Sequence, residues 1–404
     1  MTTSILGRSF SGIAFGSDSV KSFINPDGTL TTVPGHKLVQ ASGKVVVAIV
    51  GTGGYVGIDH LITANLLHVE GEELPPSEAA ARWIAKMPSL MPLCGVDQEA
   101  TSIGWFCGVF SSLDGMTKGQ MFSPVRSLPS DADAHHGLKA LDEVLDAAEA
   151  LIKGLQDDAN ISAIDTEAAR EVLGGLKGQS LVEHLCDELG LDLKPTPAQA
   201  RRVVSLASSL LTKDYDNRDE ARLIFAGFGA DELVATITAV SFYGIIGDQV
   251  LYSVEHDNPA TGDPITCVKT FAQSDGQSAL MHGMYEEDVV GFATTAGGMA
   301  KEMFNLSDDQ ADQLAQRVGE VTTRHLRSNY FDPFLRTVGG LGVEGLARVV
   351  DLLCRAQELR AASAYTEASV GGVIEVVTIT KREGIVWQRR LSSGLNANEG
   401  GLIV

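Results

Sequence analysis

Four residues within the first fifty-one positions are of types that together could cut an amide bond. Met1 precedes the small residue Thr2, so removal of the initiator methionine would expose a threonine with a free α-amino group. Such a group titrates near neutrality, about pH 8, and can act as general base for the hydroxyl on its own residue. The further needs are a cation that favours the neutral amine, a carboxylate that positions the cation, and backbone N–H groups for the oxyanion. Lys37 in "GHKLVQAS", Asp18 in "FGSDS" and Gly51 after "KVVVAIV" supply one of each.

The same glycine loop, "GTGGYVG", also reads as the first turn of a dinucleotide-binding unit. That unit requires strand, glycine turn, helix and a second parallel strand opening on an acid. Here Glu70, Glu72 and Glu73 are followed by Pro75-Pro76 and another helical pattern. Two hairpin signals, at Ser11-Gly12 and Ser42-Gly43, precede the loop and indicate an antiparallel sheet. A nicotinamide-dependent oxidoreductase is the weaker reading, and no cofactor is expected.

The elements that must position these residues form an opening antiparallel meander over residues 3–50, with "NPDG" at 25–28 as a turn. Helices are expected from Tyr55 to Val69 and from Ser77, and a strand over 102–110, "SIGWFCGVF". From about Ser130 to Lys213 the chain is helical and acidic. "GLKALDEVLDAAEALIKGL" spaces its apolar residues along one face, and Thr196-Pro197 opens a further helix. Strands return at 221–229, 233–242 and 249–256. "FATTAGGMA" is read as a glycine loop leading into a helix at 299–318. An amphipathic helix and a hairpin turning at Arg382-Glu383-Gly384 close the chain.

The opening resembles the proteasome β-subunit family, especially the peptidase subunit of the bacterial ATP-dependent protease, which also begins Met-Thr-Thr. Asp18 lies sixteen positions after Thr2, and Gly51 fourteen after Lys37, as in that family; the interval from Asp18 to Lys37 is three longer. "VGGVIEVVTITKREGIVW" is similar to the family's closing strand pair, and "LIFAGF" to its central strand. The resemblance implies an α+β fold, a four-layer αββα N-terminal nucleophile hydrolase sandwich. Residues 1–90 and 220–392 would form its core, 91–219 an inserted helical subdomain and 393–404 a tail. It implies Thr2 as nucleophile, Lys37 as the cation, Asp18 as its orienter and the Gly51 N–H in the oxyanion hole.

Two supporting positions depart from the family pattern. The loop that should carry a serine reads "TTAGG", with Ala296 in its place and Thr295 beside it. The closing Asp-x-x-Ser-Gly-Gly reads "EASVGG", with Glu367 and Val370 for the acid and serine and Ser369 out of register. A proteasome-like scaffold without activity is the alternative these losses allow. By resemblance the chain would act on peptide or protein substrate within a ring-like homo-oligomer, with any ATPase or adaptor unknown.

Bulk composition bounds the rest. The chain has 404 residues, 44% hydrophobic and 21% charged, enough for a sizeable core. A net charge of −21 argues against a nucleic-acid partner. No apolar run approaches the roughly 20 residues of a membrane span, and no secretory signal is read. Five scattered cysteines without C-x-x-C spacing point to a reducing cytoplasm. Asp131, Asp133, His135 and His136 in "SDADAHHG" have ligand-type side chains, but a solvated acidic loop is the expected reading and no metal is assigned. His60 and His68 are expected to pack or face solvent.

Overall fold

A computed structural model describes residues 3–24, 30–51, 54–55, 58–66, 71–90, 98–129, 133–156, 171–173, 186, 194–213, 221–272, 275–364 and 371–391. The chain opens with β1 (Thr3–Ser9) and β2 (Gly12–Ser17), which pair antiparallel with Ser9 opposite Gly12. The Ser11-Gly12 turn works because Gly12 takes a φ of +142° and a Cβ there would lie 2.3 Å from the Ile379 carbonyl oxygen. β3 (Val20–Ile24) and β4 (Leu30–Pro34) form a separate two-stranded ribbon. β5 (Leu38–Ser42) and β6 (Val45–Gly51) make the second expected hairpin.

Two short strands, β7 (Gly54–Tyr55) and β8 (Ile58–Asp59), then pair with each other before α1 (His60–Leu66). The helix expected from Tyr55 therefore starts five residues later. α2 (Pro76–Leu90) begins on its proline, where the missing N–H costs nothing. The segment 102–110, expected as a strand, lies inside α3 (Gln98–Met116). Its aromatic and β-branched content imitates a strand, but Trp105, Phe106, Val109, Phe110 and Leu113 recur at helical spacing and are all buried.

After α4 (Ser123–Arg126) come α5 (Ala134–Gly154) and α6 (Pro197–Leu210). Asp133 and His136 cap α5: Asp133 Oδ1 accepts from the His136 backbone N–H at 3.0 Å and contacts its ring Nδ1 at 2.8 Å. Asp131 lies outside the described residues. Thr196 and Gln199 form a reciprocal capping box on α6. α3, α5 and α6 share one apolar cluster, which also takes in Ile246 and Leu251.

β9 (Ala221–Gly227), β10 (Thr236–Ile246), β11 (Gln249–Asp257) and β12 (Cys267–Ala272) follow; β12 had no counterpart in the sequence reading. Next are α7 (Asp275–His282), α8 (Glu286–Phe304) and α9 (Asp308–Leu326). "FATTAGGMA" is therefore helix rather than loop. The break falls at Asn305, left-handed at φ +50°, before Ser307 caps α9. A π-turn (Arg327–Phe331), α10 (Asp332–Gly339) and α11 (Val343–Ala364) lead to the closing hairpin, β13 (Glu375–Thr380) and β14 (Gly384–Arg389).

The chain is α+β, with two five-stranded antiparallel sheets, β12-β1-β2-β13-β14 and β11-β10-β9-β6-β5. Leu6, Ile13, Phe15 and Val377 of the first sheet share a buried cluster with Val46, Ala48, Ile224 and Ile237 of the second. α11 buries Leu346, Val350 and Leu353 against Ile5, Ala14 and Val376 of the first sheet. Trp83 and Met87 of α2 pack with Val47, Leu223 and Phe242 of the second. Among the described residues, no helix is long and apolar enough to cross a membrane.

His60 sits inside that last cluster, edge-on to Trp83 and Phe242, with neither ring nitrogen hydrogen-bonded among the described residues. Burial lowers its pKa to about 4. The neutral ring therefore stabilises the fold fully above the ordinary value near 6.5, and this contribution is lost as pH falls toward 4, because the unfolded chain takes up the proton first. The gap is worth about 3 kcal/mol. Urea unfolding of His60→Phe at pH 7.5 and pH 4.5 should show a pH loss smaller than the wild type's by about that amount; equal losses would refute the assignment.

Candidate active site

The two opening hairpins bring their polar ends together between the sheets. Asp18 follows β2 directly, and its N–H continues the ladder by donating to the Thr3 carbonyl at 3.2 Å. Lys37 precedes β5, where its carbonyl accepts from Ile49 N–H at 3.2 Å. Lys37 Nζ lies 2.8 Å from Asp18 Oδ1 and 2.9 Å from Oδ2. The backbone N–H of Thr3 donates to the same Oδ1 at 2.9 Å. Both side chains are almost fully buried, 3% and 1% exposed.

The carboxylate is anchored from the far end of the chain as well. Gly371 N–H points at Asp18 Oδ2 from 3.5 Å, and Gly371 O accepts from Ser19 N–H at 3.3 Å. Gly372 stands at φ +81°, and a Cβ there would lie 2.9 Å from Ser19 Oγ. The glycine pair of the closing motif thus lets the backbone lie against Asp18 and Ser19. Ser19 Oγ is buried without a hydrogen-bond partner among the described residues.

Glu375, which the sequence reading passed over, holds Lys37 by its main chain. Its Oε2 accepts from Lys37 N–H at 3.2 Å, while Oε1 contacts His36 Nδ1 at 2.7 Å and Leu391 N–H at 3.2 Å. The side chain is fully buried. An acid opening an otherwise apolar strand, "EVVTIT", is the signal that could have found it. Gln277 on α7 was also missed; its Nε2 donates to Thr3 Oγ1 at 3.1 Å.

Burial lowers the pKa of Lys37 from the ordinary lysine value, outweighing the attraction of Asp18. A buried ammonium so placed depresses the pKa of a neighbouring amine and steadies a neighbouring alkoxide. Burial likewise pushes the Cys354 thiol up, with the charge of Asp18 adding to it, so this cysteine is a packing residue rather than a competing nucleophile.

Asp18 and Lys37 are therefore brought together. Gly51 ends β6, exposed and at φ +82°, opposite Ala221 of β9 and two residues beyond the amide bonded to Lys37. Thr2, Glu367 and Ser369 lie outside the described residues. Thr295 and Ala296 are helix residues rather than loop residues. They sit mid-way along α8, Thr295 exposed and Ala296 half-buried, on a helix packed against α9.

No protein-family model matches the chain, and no curated protein matches it. Solved structures do. One is Anbu (ancestral beta-subunit) from Yersinia bercovieri, at 9% identity, covering 95% of this chain and 86% of that one with a TM-score of 0.28. Another is Anbu from Hyphomicrobium sp. strain MC1, at 10% identity, covering 97% and 88% with a TM-score of 0.29. At this identity and score the likeness assigns no function. The resemblance to the proteasome β-subunit and bacterial ATP-dependent protease peptidase family is corrected by these results, since that family's pattern is not matched over the chain. The physical reason is that the two spacings belong to two short hairpins and one ion pair, which local β-geometry can produce without common descent. The segment aligned with the family's serine loop is helix.

Proposed function

We propose that the chain is an N-terminal nucleophile amidohydrolase that uses Thr2, exposed by loss of Met1, to cleave peptide bonds. The convergence of Lys37 Nζ and the Thr3 backbone nitrogen on one oxygen of Asp18 carries this reading. Thr2 is bonded to that nitrogen, so the cation is built where a residue-2 nucleophile would need it.

In this reading Thr2 Oγ1 adds to the substrate carbonyl carbon and passes its proton to the residue's own α-amine. The carbonyl oxygen becomes an oxyanion, which the Gly51 N–H receives. Collapse breaks the C–N bond, and the leaving amine takes the proton from the α-ammonium. Water then attacks the Thr2 ester with the same amine as base, releasing the acid and restoring the hydroxyl. Lys37 stays protonated throughout, favouring the neutral amine by its charge. The two sheets and their flanking helices then make up a four-layer αββα sandwich of the N-terminal nucleophile type. Residues 1–90 and 220–392 form its core, 91–219 a helical insertion.

The test is mass spectrometry of the intact chain before and after an uncharged peptide epoxyketone. Loss of Met1 followed by a single adduct mapped to Thr2, absent in Thr2→Ala, is the expected result. Retention of Met1, or mature protein that takes no adduct, would refute the reading and leave a chain without this activity.

A further inference from the structure

A cleft of about 290 Å³ opens between the two sheets where edge strands β11 and β12 face each other. Arg222, Glu255, His256, Asp257, Lys269 and Phe271 are among its walls. Its position follows from register. Arg222 is opposite Val50, one residue before Gly51. Phe271 is opposite Ser4, two residues along from Thr2. The cleft is therefore walled by strand partners of Val50 and Ser4, one residue before the proposed oxyanion donor and two after the proposed nucleophile in sequence.

Its electrostatics are unusual for a chain carrying −21. Asp257 is shared by two cations, Arg8 at 2.5 Å and Lys269 at 2.6 Å. Arg222 holds Glu255 at 2.7 Å, but the Glu255 side chain is 71% exposed, so this pair is weak and easily exchanged. The cleft wall itself thus carries Arg222 and Lys269 beside Glu255 and Asp257, with Arg8 buried behind Asp257 and neutralising part of its charge. The Arg222 guanidinium lies 5.9 Å from the Phe271 ring centroid, and its Nε is buried with no hydrogen-bond partner among the described residues. A buried guanidinium N–H without an acceptor is a recognition group awaiting one.

We infer that this cleft is a specificity pocket for a carboxylate side chain, so that the enzyme prefers peptides with an acidic residue beside the scissile bond. The inference rests on the Thr2 reading for its link to turnover. Arg222 takes the substrate carboxylate, and Glu255 is the counter-ion it displaces.

The experiment uses fluorogenic peptide amides that differ only in Glu, Gln or Lys before the reporter bond. Expected is a kcat/KM for Glu about tenfold or more above isosteric Gln, with Lys poorest. Arg222→Gln should collapse the Glu-to-Gln ratio to near one. Glu255→Gln, a change at an exposed position, should raise it by removing the competitor. A Glu-to-Gln ratio near one in the wild type, or a ratio unaltered by both variants, would overturn the assignment. The epoxyketone result separates the two readings: labelled Thr2 without acid preference overturns the cleft alone. If Thr2 takes no label, the cleft is judged by NMR titration of the full chain with acetyl-glutamyl and acetyl-glutaminyl peptides. Shifts that are specific to the glutamyl peptide and lost in Arg222→Gln support it, and their absence overturns it.

Discussion

Lys37→Met is expected to give a chain that folds less stably by about 3–5 kcal/mol and acylates at Thr2 about a thousandfold more slowly or worse. The two losses have different origins. Stability falls because the Asp18 carboxyl group, 1% exposed, is then left among the described residues with the Thr3 and Gly371 amides in place of its cation. Rate falls because nothing else among the described residues puts a cation at that oxygen. The double variant Lys37→Met/Asp18→Asn separates the effects. Removing both charges should restore most of the stability, since a buried pair replaced as a unit costs little, while acylation stays lost. Urea unfolding and epoxyketone labelling kinetics give the two readouts. Burial also lowers the Lys37 pKa, so the wild-type rate should decline on the alkaline side at a pH below that at which an ordinary lysine loses its proton, near 10.4. Undiminished labelling in Lys37→Met, or a double variant no more stable than the singles, would count against this role.

How far the site could be read from the sequence depended on how local its parts are. Asp18 and Lys37 were legible because each stands at the end of a hairpin whose turn, Ser11-Gly12 or Ser42-Gly43, is written in adjacent residues. Glu375 and Gly371 were not, because they meet Lys37 and Asp18 across more than three hundred residues, and only the closed sheet brings them there. Likewise β12 lacks an adjacent hairpin partner: it pairs with β1, a contact that no local pattern announces. The α3 misreading has the opposite cause. A helix buried by aromatic residues loses the polar face that marks its period, so composition dominated the reading. Thr295 and Ala296 fall in a helix, although "TTAGG" suggests a loop by its glycines. In α8 Gly297 serves close helix packing instead, a Cβ there coming within 2.8 Å of the Ala311 carbonyl oxygen, while Gly298 faces open space. The acidic-preference cleft was invisible for a related reason: Arg222, Lys269 and Asp257 are ordinary strand charges until two sheets face one another.

Arg8→Met should cost about 3 kcal/mol or more without touching the Lys37–Asp18 pair. Arg8 is fully buried on β1, and its guanidinium spans the two sheets. Nε donates to Ile265 O at 3.0 Å, Nη1 to Ala235 O at 3.3 Å and Asp257 O at 3.2 Å, and Nη2 to Pro264 O at 2.6 Å and Asp257 Oδ1 at 2.5 Å. Methionine fills similar volume but leaves four carbonyls without this donor, whereas Asp257 retains Lys269. The larger share of the loss is therefore carbonyl desolvation, not an orphaned charge. Arg8→Lys should recover only part of it, because one ammonium cannot reproduce the planar fork. The acid limb gives an independent check. Burial tends to raise the Asp257 pKa, but hydrogen bonds from Lys269 and Arg8 overcome it and hold the carboxyl below its ordinary value of 3.8. The stability this supplies is present above that value and lost as pH falls through the lower folded one. Arg8→Met should consequently flatten the decline of stability in that acidic window relative to the wild type. If instead both urea midpoint and acid limb are unchanged, water replaces all five hydrogen bonds, and the sheets are held together at this edge by their apolar faces alone.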